Sequence, residues 1–257
     1  MTDRTGPAAR SLPALLRARA ADAAVAMHDP QLARLVLTFG AWITAQLAFL
    51  IVVSVLAYDK GGAAAVGLTG AVRVLPAAVL GPLVAVALDR LPRPRVLAGV
   101  HLSWLLVALA TAWLAATDAP LGSLLVVLGL GSVTLSVFKP YVNAMIPQVV
   151  TSPSQLIVAN SACSTIDAVG TVLGPVLTGL VLATFDPAVA LLVLAFIFAL
   201  GAAAASGIQT EFQPPRRGSA GSRSVLLEPL RGFQVLVAQP GTRTVYGLFM
   251  LQTMMRG

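Results

Sequence analysis

The sequence contains few charged side chains for its length of 257 residues. Charged residues make up 11% of the chain and hydrophobic residues 57%, whereas a soluble domain has about 25% charged and roughly 45–50% apolar residues. A chain with so little charge cannot cover itself with a polar surface. The composition therefore excludes an ordinary soluble domain and indicates an integral membrane protein.

The sequence also lacks the residues that most enzymes and metal sites need. Its single cysteine, Cys163, lies inside an apolar stretch, so an intrachain disulfide is impossible and a packing role is expected. The chain has no H-E-x-x-H zinc motif, no G-x-S-x-G nucleophile motif and no Walker phosphate loop. We therefore predict that the chain is not an enzyme and that it holds neither a cofactor nor a metal.

Lysine is scarce, and almost all of the positive charge comes from arginine. The chain has fifteen Arg, two Lys and a formal net charge of +7. Such a basic chain could also be a nucleic-acid-binding protein, but the basic residues fall between apolar stretches and form no single patch with aromatics. The pattern favours loop charges that set membrane topology, and we expect no nucleic-acid partner.

Long apolar runs fill most of the remaining sequence. About 20 apolar residues are needed for a helix to cross a hydrocarbon core of roughly 30 Å. By this criterion the sequence predicts an all-α membrane protein with six spans, at residues 35–58, 64–88, 96–116, 121–150, 156–184 and 188–208. His101 is expected to be packed or interfacial, while Tyr58, Trp104 and Trp113 fit the use of amphipathic aromatics near membrane surfaces.

Arginine is concentrated in alternate loops. It occurs before the first span, between the second and third spans, and after the sixth span, whereas the other loops contain Asp59 with Lys60, Asp118, and Asp186. Cytoplasmic loops carry the excess of Lys and Arg. The sequence therefore predicts a multi-pass protein of the cell membrane with a cytoplasmic N-terminus.

The segments that flank the spans differ from them in composition. Residues 1–34 lack the uninterrupted apolar core of a secretory signal and are expected to form a cytoplasmic amphipathic helix or, alternatively, a disordered tail. Residues 209–242 combine a Pro/Gly/Ser-containing linker with a second amphipathic helix, which predicts a cytoplasmic central loop. Residues 243–257 are expected to begin a truncated seventh span.

Charged residues also occur deep inside predicted spans. Arg73 lies about 14 Å and Asp167 about 17 Å along their spans at the helical rise. A charge at mid-membrane costs roughly 2.5–3.5 kcal/mol, so it is rarely kept for packing alone. These two could pair directly or line one aqueous cavity, and we favour the cavity. Lys139 is expected to snorkel to the inner surface, with lining of the cavity and substrate contact as the alternative.

Gly-Pro pairs occur in the second and fifth spans, the middle helices of two three-helix sets. Gly81-Pro82 and Gly174-Pro175 are expected to kink these helices, because proline removes a backbone hydrogen bond and clashes with the preceding turn. Matching pairs in sets of opposite direction indicate a three-plus-three inverted repeat. Gly170, Gly174 and Gly179 would also permit close helix packing.

Two sequence motifs resemble those of the major facilitator superfamily. Residues 85–95 read Ala-Val-Ala-Leu-Asp-Arg-Leu-Pro-Arg-Pro-Arg, which resembles the superfamily's G-x-x-x-D-R-x-G-R-R/K signature in the same loop. The glycines and the final basic residue are replaced, and the matching residues are Asp89, Arg90 and Arg93. The fifth span is similar to the G-x-x-x-G-P motif of the proton-coupled antiporters, with the matching residues Gly170, Gly174 and Pro175.

This resemblance implies a fold and several residue roles. It implies the N-terminal six-helix half of a twelve-helix transporter, similar to the drug- and siderophore-exporter branch of actinobacterial type, with a cavity between the two halves. It further implies that Asp89, Arg90 and Arg93 form a conformational latch to the second half, which would bias one state of the protein.

The leading functional hypothesis is a secondary active transporter that exports a small amphipathic or cationic compound in exchange for protons. Asp167 is the candidate for proton coupling, because no other carboxylate lies inside a predicted span. The expected partners are the lipid bilayer, a small-molecule substrate, protons and the second six-helix half. Two alternatives stay open: an importer or facilitator of the same fold, and a transport-inactive scaffold or half-transporter subunit.

Overall fold

A computed structural model describes residues 29–210 together with Thr244, Gly247, Leu248 and Gln252. The described segment 29–210 is built from α-helices joined by short loops. The helices are α1 (Pro30–Leu88), α2 (Arg93–Ala116), α3 (Leu121–Ser132), α4 (Leu135–Val149), α5 (Pro153–Thr184) and α6 (Pro187–Ser206). The expected N-terminal amphipathic helix or tail, the central loop beyond residue 210 and the truncated seventh span lie outside the described residues.

Proline and side-chain caps define several helix starts. Pro30, Pro153 and Pro187 each occupy the first turn of a helix, where the missing N–H costs no hydrogen bond. The Asp29 carboxylate accepts from the Gln31 N–H at 2.8 Å, and the Ser152 hydroxyl accepts from the Gln155 N–H at 3.3 Å. These caps satisfy N–H groups that the helix itself leaves without partners.

Helix α1 contains two stretches separated by a pair of glycines. Gly61 and Gly62 have non-helical backbone angles, and Gly62 has φ 63°, a left-handed conformation that favours glycine. A single rod of 59 residues would be about 88 Å long at the helical rise, far more than one crossing needs. The stretches on either side, 30–60 and 63–88, coincide with the first two predicted spans.

The described residues contain five helical stretches that are long and apolar enough to cross a membrane, with α3 and α4 counted together. The sequence predicts six spans, and the difference lies in α1, which joins the first two through Gly61 and Gly62. The first helix also begins at Pro30, five residues before the predicted start of the first span. The apolar character and approximate position of the other spans agree with the prediction.

The predicted fourth span has a short break in its regular helical hydrogen bonding at Val133 and Thr134, although both residues keep right-handed helical backbone angles. Helix α3 ends at Ser132 and α4 begins at Leu135, whereas Pro147 lies inside α4. At the break, the Thr134 hydroxyl donates to the Gly131 carbonyl at 3.0 Å and accepts from the Trp104 indole N–H at 3.0 Å. Local side-chain hydrogen bonds of this kind compete with the regular helical pattern.

The two Gly-Pro pairs do not interrupt their helices. Helix α1 continues through Gly81-Pro82 and α5 through Gly174-Pro175, with no non-helical backbone angle at either pair. A Cβ atom on Gly81 would collide with the Ser136 side chain of α4. Gly81 is therefore needed for the close approach of α1 to α4, a role that differs from the predicted kink.

An aromatic cluster fills the centre of the helical bundle. It contains Trp42 of α1, His101 and Trp104 of α2, Phe138 of α4 and Phe198 of α6, and the Trp42 and Phe138 rings stack at 4.2 Å between centroids. His101 is completely buried and its Nδ1 donates to the Leu97 carbonyl at 2.9 Å. Trp104 is also completely buried, so it packs inside the bundle.

Glycines allow the first part of α1 to pack closely against α5. Gly40 faces Ile166 of α5, while Gly170 and Gly174 of α5 face Ile43 and Leu47 of α1. A Cβ on Gly170 would lie 2.7 Å from Ile43 Cγ2, which is closer than carbon atoms can pack. Small residues at such positions let helix backbones approach each other closely. Close packing is important in a membrane because lipid is as apolar as the helix surfaces, so the hydrophobic effect does not drive the helices together.

We predict that Gly170→Leu destabilises the fold and that Gly179→Leu does not. Leucine at 170 must displace Ile43, an overpacking cost of about 1–3 kcal/mol, whereas a side chain at 179 meets nothing within 4 Å among the described residues. The measurement is the thermal unfolding midpoint of the protein in detergent. An additional Ile43→Ala substitution should restore part of the stability of Gly170→Leu, and equal midpoints for both glycine variants would contradict the packing.

Candidate functional site

Polar side chains on three helices form two hydrogen-bonded pairs inside otherwise apolar segments. One pair joins Arg73 and Gln46, which belong to the two stretches of α1. The other pair joins Lys139 of α4 and Asp167 of α5. The sequence singles out three of these residues and misses Gln46, whose only signal is a polar side chain in the middle of the first predicted span.

Arg73 is held by a neutral partner. Its Nη2 donates to Gln46 Oε1 at 2.6 Å, and its guanidinium lies 6.0 Å from the centre of the Trp104 ring, within the range of a cation–π contact. Neither partner carries a negative charge. Direct pairing of Arg73 with Asp167, one of the two arrangements expected from the sequence, does not occur, because Asp167 pairs with Lys139.

Lys139 binds Asp167 and does not snorkel to the inner surface. Its Nζ lies 3.0 Å from Oδ1 and 3.1 Å from Oδ2, and the two side chains are 55% and 42% exposed. The prediction counted the depth of Lys139 only from residue 121 and overlooked an acidic partner on α5, although α4, like the predicted span, continues about 15 Å beyond Lys139 at the helical rise, to Val149. Lys139 therefore lies well inside its helix, within reach of α5.

The packing of α1 on α5 gives the relative level of the two pairs. Because Ile43 faces Gly170 and Leu47 faces Gly174, Gln46 lies level with residue 173 of α5. Asp167 precedes that position by six residues, or about 9 Å along the axis. Gln46 and Asp167 therefore lie at different levels along the packed helices α1 and α5.

A stripe of polar residues extends the Lys139–Asp167 pair along α5 and α4. On α5 the stripe follows a spacing of four, three and four residues, and on α4 a spacing of three and four, so each set shares one helix face. These residues are exposed or half-exposed: Asn160, Ser164, Asp167 and Thr171 on α5, and Ser136, Lys139 and Asn143 on α4. A polar face of this kind suits a water-filled cavity better than lipid.

The loop between α1 and α2 is fastened to α4 of the same bundle. The Tyr141 hydroxyl donates to Asp89 Oδ1 at 2.7 Å, and Arg93 Nη1 donates to the Ala144 carbonyl at 3.2 Å. Arg90 is exposed. Sequence reasoning missed Tyr141, because no pattern connects it with a residue 52 positions away. The latch between this loop and a second half stays a prediction.

The described residues contain no group of three or more His, Cys, Asp and Glu that could hold a metal ion. Cys163 is buried beside α5's packing face and forms no disulfide. The chemistry available at the site is therefore that of one carboxylate, two cations and several hydroxyl and amide groups. Such groups can bind a proton or a polar ligand, and none of them is arranged as a nucleophile with a base.

Comparison with models of protein families identifies a match that covers most of the chain. The model of the Major Facilitator Superfamily matches residues 34–256 of the chain, which includes both polar pairs and the loop with Asp89. No curated protein and no solved structure matches the chain significantly.

We predict that Lys139 and Asp167 are energetically coupled. Lys139→Gln or Asp167→Asn alone leaves one charge uncompensated, whereas the double variant removes both, so the double variant should lose less stability than the two singles together. We expect a coupling free energy on the order of 1 kcal/mol from thermal or denaturant unfolding, as for partly exposed ion pairs.

The matched control is the Lys60–Asp118 pair, which has a similar 2.7 Å contact but an Asp118 side chain that is 98% exposed. There the Lys60 ammonium donates a hydrogen bond that lowers the pKa of Asp118 below its ordinary value. The corresponding cycle with Lys60→Gln and Asp118→Asn should give a smaller coupling than the cycle at positions 139 and 167, because water screens the fully exposed carboxylate. Additive losses at positions 139 and 167 would show that the pair contributes no mutual stabilisation.

We also predict that Tyr141→Phe loosens the loop between α1 and α2. Loss of the hydroxyl removes the hydrogen bond to Asp89, with a cost of about 1 kcal/mol, and should raise the amide hydrogen exchange of residues 89–91 and 93. Tyr58→Phe is the control, because Tyr58 is 62% exposed and should leave exchange in this loop unchanged. Identical exchange in the wild type and Tyr141→Phe would contradict the fastening.

Proposed function

Because the chain belongs to the major facilitator superfamily, a family of membrane transporters that are not enzymes, we propose that it is a proton-coupled secondary transporter that exports a small amphipathic compound by alternating access. Asp167 is the residue that takes up and releases the coupling proton. The observation that carries this proposal is the Lys139–Asp167 ion pair, which lies half-exposed on a polar stripe inside apolar helices.

The location of the ion pair argues for a functional role. An ionisable residue inside a membrane helix is costly, and such residues line substrate or ion pathways in most cases. An inert scaffold has no use for an Asp and a Lys at this depth, because apolar residues of similar size would pack at lower cost. The polar stripe of α4 and α5 gives the pair a path along which water and protons can reach it.

The ion pair supplies a two-state element for coupling. With Asp167 ionised, its carboxylate attracts Lys139 and holds α4 against α5. With Asp167 protonated, this attraction is lost and the two helices are free to separate. Only interactions that differ between two states shift the equilibrium between them, so the binding of one proton alters the balance between the two conformations.

The proposed architecture follows from α1. Its stretches 30–60 and 63–88 cross the membrane separately, with the turn at Gly61 and Gly62 on the outer side. With the four later stretches this gives six crossings as two inverted sets of three, and a second six-helix half completes the cavity. The arginine-rich loops lie in the cytoplasm, so the N-terminus and the Asp89 loop face the inside of the cell membrane.

The ion pair also restricts the choice of substrate. An isolated acidic residue in the cavity would favour a cationic substrate, which is part of the expectation from the sequence. Lys139 neutralises that acid, so the ion pair gives no preference for a cationic substrate. The proposal therefore specifies the substrate only as amphipathic.

Asp167→Asn should abolish proton-driven extrusion of fluorescent amphipathic dyes while preserving energy-independent dye exchange across the membrane. An amide cannot carry the coupling proton, but it keeps the size and polarity of the site. The measurement is dye efflux from reconstituted vesicles with and without a pH gradient. Asp118→Asn, an identical change at an exposed loop residue, is the control and should transport normally.

Proton-driven efflux that persists in Asp167→Asn would move the coupling site out of this bundle. Loss of both efflux and exchange would indicate damage to the cavity, and the amount of folded protein in the membrane separates that result from misfolding.

A further inference from the structure

Arg73 is the one cation of the two polar pairs whose charge its described neighbours do not neutralise. The ion pairs of the described residues engage Lys60 with Asp118 and Lys139 with Asp167. Arg73 contacts the Gln46 amide and the Trp104 ring, and neither removes its charge. Because Lys139 and Asp167 cancel, the two pairs together retain one net positive charge.

The guanidinium of Arg73 has hydrogen-bonding capacity in reserve. A guanidinium has five N–H donors, and one donor atom of Arg73 is bound to Gln46 Oε1. In apolar surroundings, donors without acceptors are costly. Arg73 therefore presents donors and a positive charge at a place where an acceptor with a negative charge would be stabilised.

Gln46 adds a second donor without a partner. The residue is 6% exposed, its Oε1 accepts from Arg73, and its Nε2 is buried with no hydrogen-bond partner among the described residues. Buried polar atoms nearly always have a partner, so one that lacks it calls for a ligand or a water molecule. A carboxylate has two acceptor oxygens and matches a guanidinium and an amide N–H group side by side.

We infer that the transported compound is an amphipathic anion whose acidic group binds Arg73 and the Nε2 amide of Gln46. This inference rests on the proposed transport function and gives its substrate class. A single negative charge at Arg73 neutralises the polar site, and the amphipathic character of the compound follows from the proposed function. The proton on Asp167 binds about 9 Å away along α5, so substrate and proton occupy separate positions.

Three compounds with the same ring system and different charges test the inference: naphthoate, naphthylmethanol and naphthylmethylammonium. Binding to the full-length protein is measured as the rise in unfolding midpoint with ligand concentration. We expect naphthoate to bind tightest, with roughly tenfold weaker binding in Arg73→Gln, the factor expected for loss of a charged hydrogen bond. Arg73→Lys keeps the charge and should retain part of the affinity.

If Arg73→Gln fails to fold, Gln46→Glu provides a second test of the anion site. The new carboxylate pairs with Arg73 inside the protein, so it should stabilise the fold and weaken naphthoate binding roughly tenfold by occupying the anion site. The control for Arg73→Gln is Arg95→Gln, the same substitution at an exposed residue, which should leave naphthoate affinity unchanged. Unchanged naphthoate affinity in Gln46→Glu, tighter binding of the cation, or no binding of naphthoate would each overturn the inference.

Transport of the same compounds separates this inference from the proposed function. If naphthylmethylammonium is extruded in a pH gradient and Asp167→Asn abolishes that extrusion, proton coupling holds and the anion site is wrong. If naphthoate binds through Arg73 but no compound is driven by protons, the anion site holds and proton coupling is wrong.

Discussion

Polar groups inside a membrane bundle are costly unless they find partners within the protein, and this constraint organises the described helices with three exceptions, Thr38 Oγ1, Gln46 Nε2 and His101 Nε2. In hydrocarbon no water replaces a missing hydrogen bond. The described residues show the consequence. Thr171 and Thr178 donate back to carbonyls of their own helix, and His101 donates to Leu97. Arg73 and Lys139 bind side chains on other stretches of helix. The candidate site consists of the side chains that this requirement pairs between helices.

The second constraint is that helices in a membrane associate through shape. Because lipid is as apolar as the helix surfaces, close contact must come from small residues and fitted rings. The glycines of α5 receive Ile43 and Leu47, and the rings of Trp42, His101 and Phe138 fill the centre. This packing sets the rotation of α1 and α5, and the rotation in turn decides which side chains can meet Gln46 and Asp167.

The sequence predicts the helices well and their mutual rotation poorly. Apolar runs of sufficient length predict the spans, and the cost of a buried charge correctly singles out Arg73 and Asp167 as residues within them. The partner of Asp167 was missed because the sequence does not give the rotation of α4 against α5, which brings Lys139 to Asp167. Gln46 and Tyr141 were missed because their partners lie on other stretches of helix, 27 and 52 positions away.

The short helix α4 is attached to the bundle on two opposite faces. Lys139 and Tyr141 are two residues apart, which places them about 200° apart around the helix. Lys139 binds α5, and Tyr141 binds Asp89 at the end of α1. Because the two contacts lie on opposite sides of α4, the loss of either one leaves α4 joined to the bundle by the other and by its buried face, which includes Phe138.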